Sequence, residues 1–250
     1  MTRLQELEER RVYECRLTPD RALRTLDEAE AFLRDRGLLS RTADSALPSL
    51  YEACHEDPYA PGSRGFGSWP ATKWPWPWEL AQRDGIHASK LHCGKTLLVT
   101  EEVRRLLDPI CRAELERTEQ TDPSWSRVLR HLAEAGPSTP EDLDTELGLE
   151  RRERKAVLSP LERCGVVVRR GDELLRWDQA YPDAADGDMT VAGALEELVV
   201  AAVRAAVVAP ERHVLRRFFS FSWRLSPELL SGLVAEGRLE RPEPGWLAAT

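Results

Sequence analysis

Apolar and polar positions alternate along this chain mostly with helical period, and stop and start signals divide the pattern into segments. Thr18-Pro19-Asp20 reads as a helix start, with Leu23, Leu26, Ala29, Phe32 and Leu33 on one face and a stop at Gly37. A short second helix is expected in Leu47-Pro48-Ser49-Leu50-Tyr51-Glu52-Ala53. Residues 57–77 are rich in Pro, Gly and Trp, too irregular for regular structure and too aromatic for an inert linker. Residues 90–100 read as a strand or hairpin turning at Gly94, and Thr100-Glu101-Glu102 starts a helix that reaches about Glu116. Asp122-Pro123 marks a boundary, because the residue before proline is pushed out of helical geometry.

The segment from Ser124 carries the most information. Trp125, Val128, Leu129 and Leu132 share one face of a helix that ends at Gly136. Ser138-Thr139-Pro140-Glu141 then has the form of a capped start, giving a short helix that stops at Gly148. A third helix is expected from Glu150 to about Arg163, with Ala156, Val157, Leu158 and Leu161 inward and Pro160 bending or interrupting it. Residues 164–177 follow as a β-hairpin, a β-branched run turning at Gly171-Asp172. Three helices and a hairpin in this order predict a winged helix-turn-helix. The last third echoes the plan faintly, with helices over 190–208, 210–219 and 226–236 and a short hairpin around Gly245-Trp246-Leu247. The fold expected is mainly α with small β-hairpins, built from tandem winged helix-turn-helix units. Three units are anticipated: residues 1–121, helical with the Trp/Pro-rich segment and open to reading as a degenerate winged helix; 122–182, the clearest winged helix; and 188–250, winged-helix-like.

Composition narrows the function classes. The 250 residues are 42% hydrophobic and 31% charged, and the longest apolar stretch, residues 191–209, is broken by Glu196, Glu197 and Arg204, so no membrane span is expected. The N-terminal eleven residues are charged and lack the apolar core of a signal peptide, which points to the cytoplasm. The five cysteines are scattered without a Cys-x-x-Cys pair, supporting neither a disulfide framework nor a zinc knuckle. A formal net charge of −8 excludes indiscriminate coating of nucleic acid, whose affinity comes from neutralised phosphates, so any duplex contact requires a local basic patch and should depend strongly on salt.

Such a patch exists where the charge reverses sign. Residues 150–170 carry Arg151, Arg152, Arg154, Lys155, Arg163, Arg169 and Arg170 against Glu150, Glu153 and Glu162, net +4. In a winged helix the third helix enters the major groove and the wing reaches the backbone, which makes Arg151, Arg152, Arg154, Lys155, Arg169 and Arg170 the candidate contacts to double-stranded DNA. The alternative is a solvated helix on a fold used for protein contacts. Trp74, Trp76 and Trp78, set among Pro70, Pro75 and Pro77, could stack on unpaired bases or plug a core. His87, His92 and Cys93 lack a spaced partner pair and do not form a metal motif, and Gly94-Lys95-Thr96 is no phosphate loop because Ser89 stands where the motif needs glycine. No metal, no cofactor and no catalytic residue can be assigned from these patterns.

Taken in order, Leu47-Pro48-Ser49-Leu50-Tyr51-Glu52-Ala53, the Trp-rich segment, Lys90-Leu91 through Gly94-Lys95-Thr96-Leu97-Leu98-Val99 and the unit from Ser124 resemble the AlkZ-related group of bacterial winged-helix proteins, relatives of the AlkZ-type DNA glycosylases. The resemblance implies tandem winged helices, DNA binding and a place in repair, lesion recognition or self-resistance. If the chain were an enzyme, it would be a DNA glycosylase. Those glycosylases share a Gln-x-Gln or Gln-x-Asp motif soon after the first amphipathic helix. The corresponding stretch here, Gly37-Leu38-Leu39-Ser40-Arg41-Thr42, has no Gln, and Gln-x-Gln occurs nowhere in the chain, so no catalytic residue carries over. A transcriptional regulator and a protein-interaction module without DNA affinity stand as the other classes.

Overall fold

The computed structural model describes residues 1–58, 68–183 and 189–250; residues 59–67 of the Pro/Gly/Trp-rich stretch and residues 184–188, where the expected unit 122–182 gives way to the expected unit 188–250, lie outside the described residues. Helix α1 (Arg3–Glu14) opens the chain, its end closed by a reciprocal cap in which Gln5 N–H donates to Thr2 Oγ1 and Thr2 N–H to Gln5 Oε1. The expected helix from Thr18 divides into two pieces. A 3₁₀ turn (Pro19–Arg21) is followed by a break in which Leu23 N–H bonds Ala53 O, and α2 (Leu26–Arg36) starts at Thr25, whose hydroxyl accepts from Glu28 N–H. Then come β1 (Leu38–Ser40), α3 (Leu50–Cys54), α4 (Trp76–Leu80), β2 (Ile86–His92), β3 (Lys95–Thr100) and α5 (Glu101–Glu119).

The three strands form an antiparallel sheet in the order β1-β3-β2, with Leu38 opposite Val99 and Ile86 opposite Thr100. Side chains alternate across its faces, and both faces are covered. Leu39, Ile86 and Leu98 pack with Phe32 and Leu33 of α2 and Tyr51 of α3. Leu38, Leu91, Leu97 and Val99 face the other way, onto Leu107 and Ile110 of α5.

The middle segment consists of α6 (Pro123–Ala135), α7 (Pro140–Leu147), α8 (Arg151–Arg163) and the two-stranded antiparallel pair β4 (Val167–Arg170) and β5 (Glu173–Arg176). Its caps are those the sequence signals, Thr139 at the start of α7 and Gly148 in left-handed conformation at its end. Pro160 neither ends nor divides α8, and Ala156, expected on its inward face, is instead exposed, so that its carbonyl, which loses its donor to the proline ring, can be hydrated there. Val128, Leu132, Leu143, Leu158, Leu161, Val167 and Leu174 form a core of their own. Gly165 seats this segment against the rest: at φ +78° an added Cβ would lie 2.7 Å from Cys111 Sγ and 3.0 Å from Leu91 Cδ2. Gly165→Ala is therefore expected to destabilise the protein by about 2 kcal/mol, from the left-handed backbone and overpacking together, as read from chemical denaturation; an unchanged midpoint would show the approach is looser.

Helix α9 (Trp177–Ala180) leads to α10 (Val191–Ala206), β6 (Val208–Pro210), α11 (Glu211–Arg216), α12 (Pro227–Ala235), β7 (Leu239–Glu240) and β8 (Trp246–Ala249), the strands paired in the order β6-β8-β7. Leu198, Val199 and Val203 of α10 join Leu107 and Ile110 of α5 in one core, which also takes Phe218, Phe219 and Phe221. Leu4 and Leu7 of α1 pack on Val208 and Ala248, so the first helix covers the last sheet. The architecture is mainly helical with small antiparallel sheets, and no helix of the described residues is long and apolar enough to cross a membrane.

Candidate functional site

The structure separates the six candidate cations into two groups. Arg151, Arg152 and Lys155 are exposed in the first turns of α8 and make no ion pair or side-chain hydrogen bond among the described residues, while Val157, Leu158 and Leu161 bury the helix's inner face. Arg154 is a tie between helices: its Nη1 donates to Pro140 O at 3.0 Å and pairs with the Asp144 carboxylate of α7. Arg169 and Arg170 lie on β4. Arg169 reaches Glu162 at 3.4 Å, and Arg170 donates to Ala180 O with its guanidinium 5.2 Å over the Tyr181 ring.

These hairpin arginines border a cleft of about 390 Å³, formed where residues 167–171 of the hairpin face the outer edge of β2. Pro77 and Trp78 of α4, Ala81 and Gln82 after it, and Tyr181 and His87 belong to the same lining. Lys90 and Glu162 pair across it at 2.5 Å. Three cations, Lys90, Arg169 and Arg170, thus stand against one carboxylate, and the cleft is net positive.

Of the tryptophans, Trp78 alone lines this cleft, 46% exposed. Trp74, 48% exposed, meets it edge-on at 6.0 Å between ring centroids and stacks on Trp69 at 6.5 Å. Trp76 is half-buried against the α2–α3 core with Lys73 Nζ 5.5 Å over its ring, a packing position. Tyr51 anchors the group through its hydroxyl, which donates to Trp74 O at 2.7 Å.

His87 has a defined protonation logic. Arg104, with help from His87 and Arg105, holds the Glu101 carboxyl down to about 2, so Glu101 accepts and His87 Nε2 donates the 2.7 Å bond between them, leaving Nδ1 as the acceptor of a neutral ring. Burial lowers the His87 pKa below its ordinary 6.5, and the bond to Glu101 opposes that shift only in part. Because the unfolded chain takes up a proton at His87 more readily, the fold loses stability as pH drops below 6.5; Glu101 contributes stability above its ordinary 4.5 that is lost as pH falls toward about 2. An NMR titration should show His87 with its midpoint under 6.5, lower still in Glu101→Gln. A midpoint at or above 6.5 would contradict the assignment.

The remaining sequence candidates are engaged elsewhere. His92 Nδ1 donates to Phe218 O at 2.9 Å, and Cys93 Sγ points to the carbonyls of Arg216 and Arg217. Among the described residues no group of three or more His, Cys, Asp or Glu could hold a metal ion. Lys95 follows the β2–β3 turn and pairs with Asp44. Ser40, in the stretch set against the glycosylase motif, is fully buried on β1, its hydroxyl 3.1 and 3.2 Å from the carbonyls of Thr42 and Pro48. Sequence reasoning missed the free edge of β2, Gln82, Lys90 and Tyr181, because the cleft joins residues 77–90 to residues 162–181 and no local period announces such a meeting.

No family model matches the chain, and no curated protein matches it. A solved structure to which it is similar is the Streptomyces sahachiroi DNA glycosylase AlkZ, with a TM-score of 0.55 at 16% sequence identity, covering 96% of this chain and 67% of that one. At that identity the likeness is one of fold.

Proposed function

We propose that the chain is a DNA-binding protein of AlkZ-related type, in which residues 122–182 act as a winged helix-turn-helix among tandem units. Helix α8 lies in the major groove of double-stranded DNA, with Arg151, Arg152 and Lys155 on phosphates; β4 and β5 serve as the wing, with Arg169 and Arg170 toward the backbone. The observation that carries this reading is the exposure of three cations without carboxylate partners among the described residues on one helix of an acidic protein. Uncompensated like charges repel one another in the free protein, and an anionic partner relieves that repulsion. The similarity of fold to a DNA glycosylase gives the same direction. A role in lesion recognition or repair follows as the setting, with Arg154 holding α7 to α8.

Fluorescence anisotropy of a labelled duplex tests the reading. Affinity should fall linearly in log–log form as salt rises, because displaced counterions drive binding. Affinity that ignores salt, or no binding at low salt, would favour a protein-contact module.

A further inference from the structure

We propose that the cleft between β2 and the β4–β5 hairpin binds one unpaired nucleotide, its base stacked on Trp78 and paired with the main chain of Ala88, its phosphates facing Arg169 and Arg170. The proposal rests on the DNA-binding reading above and adds a ligand class at the cleft, where Arg169 and Arg170 of the wing meet Glu162 near the end of α8.

Register supplies the first argument. Thr100 N–H bonds Gly37 O at 2.9 Å and Arg41 N–H bonds Thr96 O at 3.0 Å, so alternate residues of β3 spend their main chain on β1. In an antiparallel ladder the intervening residues, Leu97 and Val99, then pair with Ser89 and His87, which stand opposite them. Ala88, between those two, turns its N–H and C=O outward along the free edge of β2, and no group among the described residues takes them. A main-chain donor and acceptor on the wall of a cleft need water or a ligand.

The extent of the free edge selects the occupant. Ile86 N–H is already bonded to Arg83 O at 3.2 Å, and Lys90 O accepts from Gly94 N–H at 3.0 Å. Ala88 keeps both its N–H and its C=O open among the described residues, while Ile86 and Lys90 have each spent one outward group, which shortens the run of main-chain groups that addition of a peptide strand draws on. A single donor beside a single acceptor matches the edge of one base. The half-exposed indole of Trp78 offers a stacking surface in the cleft, and the net positive lining suits a phosphate. At about 390 Å³ the space falls within the range of small-ligand sites.

The test uses the full chain and a labelled single-stranded oligothymidylate. Saturating oligonucleotide should quench tryptophan fluorescence and slow hydrogen exchange at the Ala88 amide. Trp78→Ala should weaken the oligonucleotide about tenfold, with Trp78→Phe between it and the unaltered protein. An Ala88 amide that exchanges at the same rate with and without oligonucleotide overturns the proposal, and so does equal affinity in a folded Trp78→Ala; the exchange measurement decides alone if that variant does not fold. Salt-dependent duplex binding with no change at Ala88 removes this inference and leaves the α8 reading intact. Slowed exchange at Ala88 without duplex binding does the reverse.

Discussion

Replacing Arg151, Arg152 and Lys155 together by alanine is expected to reduce the slope of log affinity against log salt by about 2.7, because each cation that neutralises a phosphate contributes roughly 0.9. Extrapolated from molar salt, where the electrostatic contribution fades, one decade of salt at that slope corresponds to an affinity loss of about 500-fold near 0.1 M. The three side chains are exposed, and helix α8 keeps its apolar face, so the variant should retain its circular dichroism spectrum and melting point. Arg154 must stay in place in this experiment. It bonds Asp144 and Pro140 O, and removing it would unfasten α7 from α8 and confuse a folding defect with a binding one. An unchanged slope in a folded triple variant would move the search for the duplex surface away from α8.

The largest effect on stability is expected at Asp108. Its carboxylate is 2% exposed in α5 and accepts from Trp177 Nε1 and Arg112 Nε, both at 2.8 Å, with Arg104 Nη1 at 3.7 Å. Asp108→Ala would leave the buried indole N–H and Arg112 Nε without their acceptor, although Arg104 keeps Glu101, and breaking a buried charge pair from one side costs about 3–5 kcal/mol. For a chain of this length the melting temperature should fall by about 10 °C in thermal denaturation. The consequence reaches the cleft, because Trp177 packs on Tyr181 at 4.6 Å between centroids and Tyr181 carries Arg170. Asp108→Asn keeps one acceptor and should fall between the two. A shift of a degree or so in the alanine variant would mean that water replaces the carboxylate without loss.

How much of this was legible in the sequence depended on how local each signal is. The three helices and the hairpin of residues 123–176 are marked by their own caps and turns: Thr139 before Pro140, Gly148 after Leu147, Gly165 and Gly171 at left-handed positions. Helix α1 carries only Leu4 and Leu7 as buried positions, too few for a periodic pattern, and they are buried by Val208 and Ala248 from the far end of the chain. Strand β6 is three residues long and exists because β8 pairs with it. Thr18-Pro19 has the form of a helix start yet yields one 3₁₀ turn, since Leu23 bonds Ala53 O and Thr25 caps α2. In the candidate site, the six cations look alike in sequence. Asp144, Glu162, Ala180 O and the Tyr181 ring distinguish them, and these are tertiary partners that spacing does not encode.

Hydrogen exchange followed by mass spectrometry, with the full chain in the presence and absence of duplex DNA at low salt, addresses the central claim most directly. If α8 and the hairpin face the duplex, the peptides spanning residues 150–156 and 167–173 should exchange more slowly when DNA is added, and the effect should vanish as salt is raised. Slowing confined to α1 or to residues 207–250, with residues 150–156 unchanged, would contradict it.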